Sequence, residues 1–296
     1  MYFGRETMKN VLCSTGALIG RPNNRDYRLL EKFAPKLDCD GFELLVYDTW
    51  YPEVDEMIET LKGFDLNIPV VHCEKALSEK LAGARAWFDD AGYHYEEMSP
   101  KEDEASVKAA IEEFELNLKI AKGVGADRMV FHLWNGIVSD KNIERNAERF
   151  GIFKEMAEQA GVLLMVENVI CNEHDPMYDM NVVYKLFPDV SFVYDTKMAE
   201  FHGQTMKVFE PEWDWMFKEG HIKHLHLNDY GGGIKDWSNL KVLPIGKGHV
   251  DFEGFFVQLC KYGYDGDCTV ESTAFDKTGK VDIEMLNGCF KRIREA

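Results

Sequence analysis

An apolar run followed by a helical pattern recurs eight times along this chain, and no other feature constrains the fold as tightly. The runs lie at 11–14, 41–46, 68–72, 129–133, 163–167, 191–195, 222–228 and 269–271. Each has the length and β-branched or aromatic content of a buried strand. The clearest helix spans 105–122, where Val107, Ile111, Phe114 and Leu118 keep a three-to-four spacing. The pattern IERNAERFGIFKEMAEQAG stops at Gly161, as a helix C-terminus should. Strand–helix alternation predicts parallel pairing through right-handed crossovers. Eight such units in 296 residues match a TIM (β/α)8 barrel, read as one α/β domain over 1–296. An open doubly wound sheet is the alternative, but STGALIGRPNN after the first run lacks the G-x-G-x-x-G spacing.

Residues 1–8 precede the first run and read as a flexible extension without the apolar core of a signal peptide. One connection is oversized: residues 75–104 leave the third strand's C-terminal end and carry Trp87, Phe88, Tyr93, His94 and Tyr95. A loop of this length is usually functional or partly helical; a lid over the site is one reading and a disordered insertion the other. The seven cysteines are scattered and form no C-x-x-C pair, which fits reduced thiols in a cytoplasmic protein. No run reaches the ~18 apolar residues of a membrane helix. The net charge is −18, with 52 acidic residues against 34 basic ones. Such a field repels nucleic acid and favours small neutral or weakly charged ligands.

A potential metal ligand stands at, or just before, the end of each of the four later runs: Glu167, Asp195, His226 and Glu271. In a parallel barrel all C-terminal strand ends meet at one face, so these four side chains should converge. Alternation aims each of them inward, and a carboxylate inside a barrel is costly unless paired or metal-bound. A buried salt bridge accounts for one such residue far more readily than for four on consecutive strands. The oxygen-rich set with one nitrogen suits one divalent ion, Mn²⁺ first, with Mg²⁺, Co²⁺ or Zn²⁺ as alternatives. His72 and His132 end two earlier runs and could bind substrate hydroxyls or a second metal. Glu43, Trp134 and Lys197 complete the candidate substrate contacts: Glu43 from the second run, Trp134 as an apolar platform, and Lys197 as a cation for an acid, phosphate or carbonyl group. Lys235 and Lys247 are weaker candidates for the last task, and the turn NDYGGGIKD opens no helix that would make it a phosphate loop.

The ordered set GFELL, His72, AKGVGADRMVFHLW, VENV, HLHLND, PIGKGHVDF and VES resembles the xylose isomerase-like superfamily of TIM barrels. That superfamily holds sugar and sugar phosphate isomerases and epimerases, together with metal-dependent apurinic endonucleases. The resemblance implies that Glu167, Asp195, His226 and Glu271 bind one catalytic divalent ion. Three departures limit it. Met198 stands where the endonucleases and the ketose 3-epimerases place a histidine, and Val242 and Leu243 stand where an Asp-x-His pair would complete a third zinc site. The arginine expected after the seventh strand in the epimerases is also missing from GGGIKD. The metal site therefore carries over, whereas substrate identity does not.

The expected activity is a metal-dependent sugar, or sugar phosphate, isomerase or epimerase. Glu167 and Glu271 would exchange a proton with the carbon next to a carbonyl through a metal-stabilised enediolate. A sugar-acid or inosose dehydratase on the same site is the first alternative and an apurinic endonuclease the second. The expected partner is a small carbohydrate, with neither nucleic acid nor membrane involved, and a homo-oligomer is compatible with the sequence. Because the third-zinc ligands are missing and the chain is strongly acidic, no incision of an abasic DNA duplex is expected. Incision at enzyme concentrations typical of a true endonuclease, abolished by Glu271→Gln, would overturn this ranking.

Overall fold

The computed structural model describes residues 10–90, 92–136, 138 and 140–295, so the expected extension at 1–8 lies outside the described residues. Among the described residues there are ten strands: β1 Val11–Ser14, β2 Gly41–Leu45, β3 Val70–His72, β4 Ala84–Asp89, β5 Gly92–Glu97, β6 Arg128–Phe131, β7 Leu163–Glu167, β8 Ser191–Asp195, β9 Ile222–His226 and β10 Asp267–Val270. The helices are α1 Leu30–Phe33, α2 Val54–Gly63, α3 Pro100–Val124, α4 Ile143–Gln159, α5 Pro176–Leu186, α6 Thr196–Phe201, α7 Trp215–Lys218, α8 Phe252–Tyr262 and α9 Ile283–Glu295. All strands but β4 and β5 pair in parallel in the order β1-β2-β3-β6-β7-β8-β9-β10, and β10 returns to β1. The ring is closed, which makes this a TIM (β/α)8 barrel and rules out the open sheet.

Local chemistry explains the element ends. Helix α3 begins with a capping box, in which Ser99 Oγ accepts from the Glu102 amide and the Glu102 carboxylate accepts from the Ser99 amide. It ends at Gly125, whose φ of 82° is open to glycine at little cost. These caps extend it beyond the expected 105–122. Strand β3 starts at Val70 rather than 68 because Pro69 has no N–H to give the ladder.

Inside the barrel the layers differ in kind. At the N-terminal end Arg128 Nη1 meets Asp267 Oδ2 at 2.7 Å. Above it Leu12, Val70, Val130, Met165 and Val193 form a small apolar plug, separate from the larger core between strands and helices. The plug closes the floor, and the polar residues stand at the strands' C-terminal ends. One bulge decides whether they face in. Phe192 pairs with Ile222, but Val193 pairs with His224, so Lys223 is an extra residue in β9. Ile222 therefore packs in the outer core beside Phe192, while His224 and His226 both turn inward.

The described residues of 75–104 are partly helical, as one reading of so long a connection expects, and they also carry a hairpin that the sequence reading did not expect. A 3-10 turn at Lys75–Leu81 is followed by the antiparallel hairpin β4–β5. Its base is tied to α4 and the turn before it: Arg149 and Arg145 donate to the carbonyls of Leu81 and Ala82, and Asn142 Nδ2 reaches Ala82 O and Tyr95 Oη. Trp87 and His94 stack with ring centroids 5.2 Å apart. All seven cysteines are free, and among the described residues no helix is long and apolar enough to cross a membrane.

Candidate metal centre

At the C-terminal mouth three carboxylates surround one imidazole nitrogen. His226 Nδ1 lies 3.1 Å from Glu167 Oε1, 3.4 Å from Glu271 Oε2 and 4.0 Å from Asp195 Oδ2. One ligand atom from each of the four residues falls within 4.8 Å of all the others. Glu167, Asp195 and His226 are buried, and the Glu271 side chain keeps 11% of its surface at the opening. The fold thus brings together the four residues expected from the strand ends.

Two asparagines hold them, and the sequence reading passed over both. Asn228 Nδ2 donates to Asp195 Oδ2 at 2.8 Å and to Glu271 Oε2 at 3.0 Å, while its Oδ1 accepts from the Glu271 amide at 3.1 Å. Asn168 clasps the Asp195 backbone, accepting from its N–H at 2.6 Å and donating to its carbonyl at 3.1 Å. Asp195 Oδ1 caps α6 through the Met198 amide, leaving Oδ2 to face the centre. The signal was present in VENV and HLHLND, where an asparagine follows each ligand within two residues.

Glu43 lies beneath the site rather than at the substrate surface. It is fully buried, and its Oε2 accepts from Thr269 Oγ1 at 2.9 Å and faces His226 Nε2 at 3.1 Å and His224 Nε2 at 3.2 Å. A carboxylate behind a histidine fixes the ring's orientation and tautomer and leaves the opposite nitrogen for a metal. Trp134 differs from expectation in the same way. It is fully enclosed and its indole N–H donates to Val169 O at 2.8 Å, so it offers no open face to a sugar.

His132 and His72 approach Glu167 from the other side. His132 Nε2 is 2.7 Å from Glu167 Oε2. His72 Nδ1 donates to Cys73 O at 2.8 Å. Its Nε2 is buried without a hydrogen bond, 3.3 Å from Glu167 Oε2. Two cations complete the mouth. Lys197, in α6, is buried, with 7% exposure, and makes no hydrogen bond or ion pair among the described residues. Lys75, just past β3, is exposed, yet its charge acts on Glu271, Glu167, Asp195 and Glu43. Nothing in the sequence marked Lys75, since it opens the oversized connection.

The electrostatics follow from crowding. Burial raises the Glu167 carboxyl, but His226 and His132 outweigh it and hold the group well below the usual range. Burial likewise raises Glu271, against which His226 and Lys75 pull it down. Burial pushes Asp195 up to about 6, opposed by Lys197 and reinforced by Glu167 and Glu271. Burial lowers His226, but Glu43, Glu271 and Glu167 hold it well above its ordinary value. Burial drives His132 down to about 4. The metal-free centre is therefore an imidazolium surrounded by more negative charge than it can balance. Three oxygen donors and one nitrogen donor fit a divalent ion, and His72 Nε2, which has no hydrogen bond, is a further potential ligand atom beside Glu167.

The family model of the xylose isomerase-like TIM barrel matches residues 32–288. The chain belongs to that family. No curated protein matches it. Among solved structures, it is similar to the 3-keto-D-glucoside 4-epimerase YcjR of E. coli, at 13% identity and a TM-score of 0.64, over 98% of this chain and 100% of that one. D-allulose 3-epimerase from Methylomonas sp., solved with D-allulose, gives 14% identity and a TM-score of 0.66 over 100% and 99% of the two chains. A Thermus thermophilus protein soaked with ZnCl2 gives 19% identity and a TM-score of 0.60 over 96% and 97%. At these identities the likeness is one of fold.

Metal uptake must displace the His226 Nδ1 proton and, at lower pH, a proton on Asp195. The logarithm of Mn²⁺ affinity should therefore rise by about 1 per pH unit just above pH 6.5 and more steeply, toward about 2 per unit, below pH 6. Calorimetric titration across that range checks this, and an affinity that does not change with pH would contradict the assigned ligands.

Proposed function

We propose that the protein is a divalent-metal-dependent sugar isomerase or epimerase working by proton transfer. The observation that carries this reading is the pairing of Glu167 and Glu271 across His226 Nδ1, at 3.1 and 3.4 Å, in the mouth of the barrel. The sugar epimerases among the structural neighbours support the substrate class at the level of fold. A bound divalent ion, held by Glu167, Asp195, His226 and Glu271, supplies a fixed positive charge that makes a proton next to a carbonyl acidic enough to remove.

The protein's own groups then divide the work. Glu271 is the less enclosed of the two, and Asn228 engages only its Oε2, so Oε1 is free to take a carbon-bound proton. Glu167 faces it with both oxygens engaged, Oε1 to His226 and Oε2 to His132, and can pass a proton on through neutral His132. Return of the proton to the neighbouring carbon of the enediolate gives isomerisation, and return to the same carbon from the opposite face gives epimerisation. Glu43 and Asn228 act by positioning the groups they bond.

A second reading has its own observation. His72 Nε2, His132 and Glu167 offer ligand atoms within 4.8 Å of one another, and His72 Nε2 has no hydrogen-bond partner. A second ion there would suit hydride transfer between adjacent carbons, which leaves solvent hydrogen out of the product.

Turnover of a ketose by the Mn²⁺-loaded protein in D₂O separates the two. Proton transfer predicts deuterium at the carbon next to the carbonyl, whereas product without it, from protein with two ions per chain, would sink the proposal. Glu271→Gln should lower kcat by ~10²–10⁴-fold with little change in KM, since a base acts in the transition state rather than in binding.

A further inference from the structure

The hairpin β4–β5 stands outside the barrel, and the chemistry proposed above makes no use of it. Its pairing runs from Ala84 opposite Glu97 to Asp89 opposite Gly92 without a register break. One face is spent on the body of the protein. Ala84 packs with Ala82 and Val138, Ala86 and Tyr95 lie against them, and Lys141 Nζ sits 4.2 Å above the Tyr95 ring. Alternation turns Arg85, Trp87 and Asp89 to the other face, where Glu96 stands opposite Arg85 and His94 opposite Trp87. Trp87 is 43% exposed and stacks on the His94 ring. In an antiparallel pair, alternate residues direct their N–H and C=O away from the partner strand. Among the described residues β4 pairs with β5 alone, and residues 85–87 make no backbone hydrogen bond beyond the hairpin. The outer edge of β4 is therefore open.

Open sheet edges are commonly blunted by lysine, proline or a bulge. Strand β4 has none of the three. It has instead one cation and one anion placed symmetrically about its tryptophan, in the order Arg85, Ala86, Trp87, Phe88, Asp89. That order is self-complementary. When two copies of β4 pair antiparallel about a two-fold axis at residue 87, Arg85 of each stands opposite Asp89 of the other, and Trp87 faces Trp87. Moving the axis to residue 85 or 89 sets like charges against each other, so the charges select one register. Strand β5 lacks this property, since it carries Glu96 and Glu97 and neither lysine nor arginine. Within the chain Arg85 Nη2 reaches Glu102 Oε1 at 2.9 Å and His94 Nε2 reaches Asp89 Oδ1 at 2.8 Å. Both are surface contacts, which cost little to exchange for pairs across an interface.

We propose that the outer edge of β4 is a homodimer interface, through which two copies of the chain join their hairpins into one four-stranded antiparallel sheet. A row of His94, Trp87, Trp87 and His94 would cross that sheet on its exposed face. A contact built on one edge of ~20 Å per chain lies at the small end of specific interfaces, so the dimer should form in a concentration-dependent way. The test is sedimentation velocity of the full chain from ~1 to ~300 µM, the range in which small interfaces associate. The samples are the wild type, Arg85→Asp, Asp89→Arg and an equimolar mixture of the two variants. The wild type should pass from monomer to dimer. Each reversal alone sets two like-charged pairs across the axis and should weaken dimerisation at least ~10-fold. The mixture should recover dimers to within about threefold of the wild type, because the heterodimer pairs opposite charges at both places. Both positions are exposed, so the melting temperatures of the variants should stay within about 2 °C of the wild type. A wild type that stays monomeric throughout, a dimer that either reversal leaves intact, or a mixture no more dimeric than its components would each overturn the proposal.

Discussion

Three carboxylates aimed at one imidazole nitrogen are the interaction on which the rest of this structure depends. Glu167, Asp195 and Glu271 repel one another, and His226 alone cannot balance them even when protonated. In water such a cluster would fly apart or take up protons. Here the backbone imposes it, because each ligand stands at or just past the end of a parallel strand whose register is set by its neighbours. The barrel supplies the geometry, and the geometry creates the demand for a cation.

The supporting groups can be read as answers to that strain. Asn228 donates to two of the carboxylates at once, which lowers their mutual repulsion and fixes their separation. Glu43 works from beneath: by engaging His226 Nε2 it decides that Nδ1 faces the centre. The apolar plug of Leu12, Val70, Val130, Met165 and Val193 seals the floor, so the electrostatics of the mouth act in a site closed to water from below. Lys75 and Lys197 add positive charge that acts on these carboxylates.

Much of this was legible in the residues, for definite reasons. Strands β1, β7 and β8 fell where the apolar runs end, since buried parallel strands are nearly continuous in hydrophobicity. The four ligands stood out because an inward carboxylate at a strand end is too costly to keep unless it is paired or holds an ion. The hairpin β4–β5 was missed because Arg85, Asp89 and Glu96 break any alternation, and its order comes from distant ties to Asn142, Arg145 and Arg149. Glu43 and Trp134 do not stand on the surfaces expected of them: Glu43 is held beneath the site by Thr269 and two histidines, and Trp134 is tied to Val169 O, partners that no local pattern marks. The bulge at Lys223 leaves no local mark either, although without it His224 and His226 would lose their facing.

The central claim is that one divalent ion sits where Glu167, Asp195, His226 and Glu271 converge. A crystal structure of the Mn²⁺-loaded protein, with anomalous scattering measured at the manganese edge, tests it most directly. The account predicts a strong anomalous peak about 2.0–2.4 Å from oxygens of the three carboxylates and from His226 Nδ1. An absent peak, or one whose ion leaves two of these side chains turned away, would contradict it.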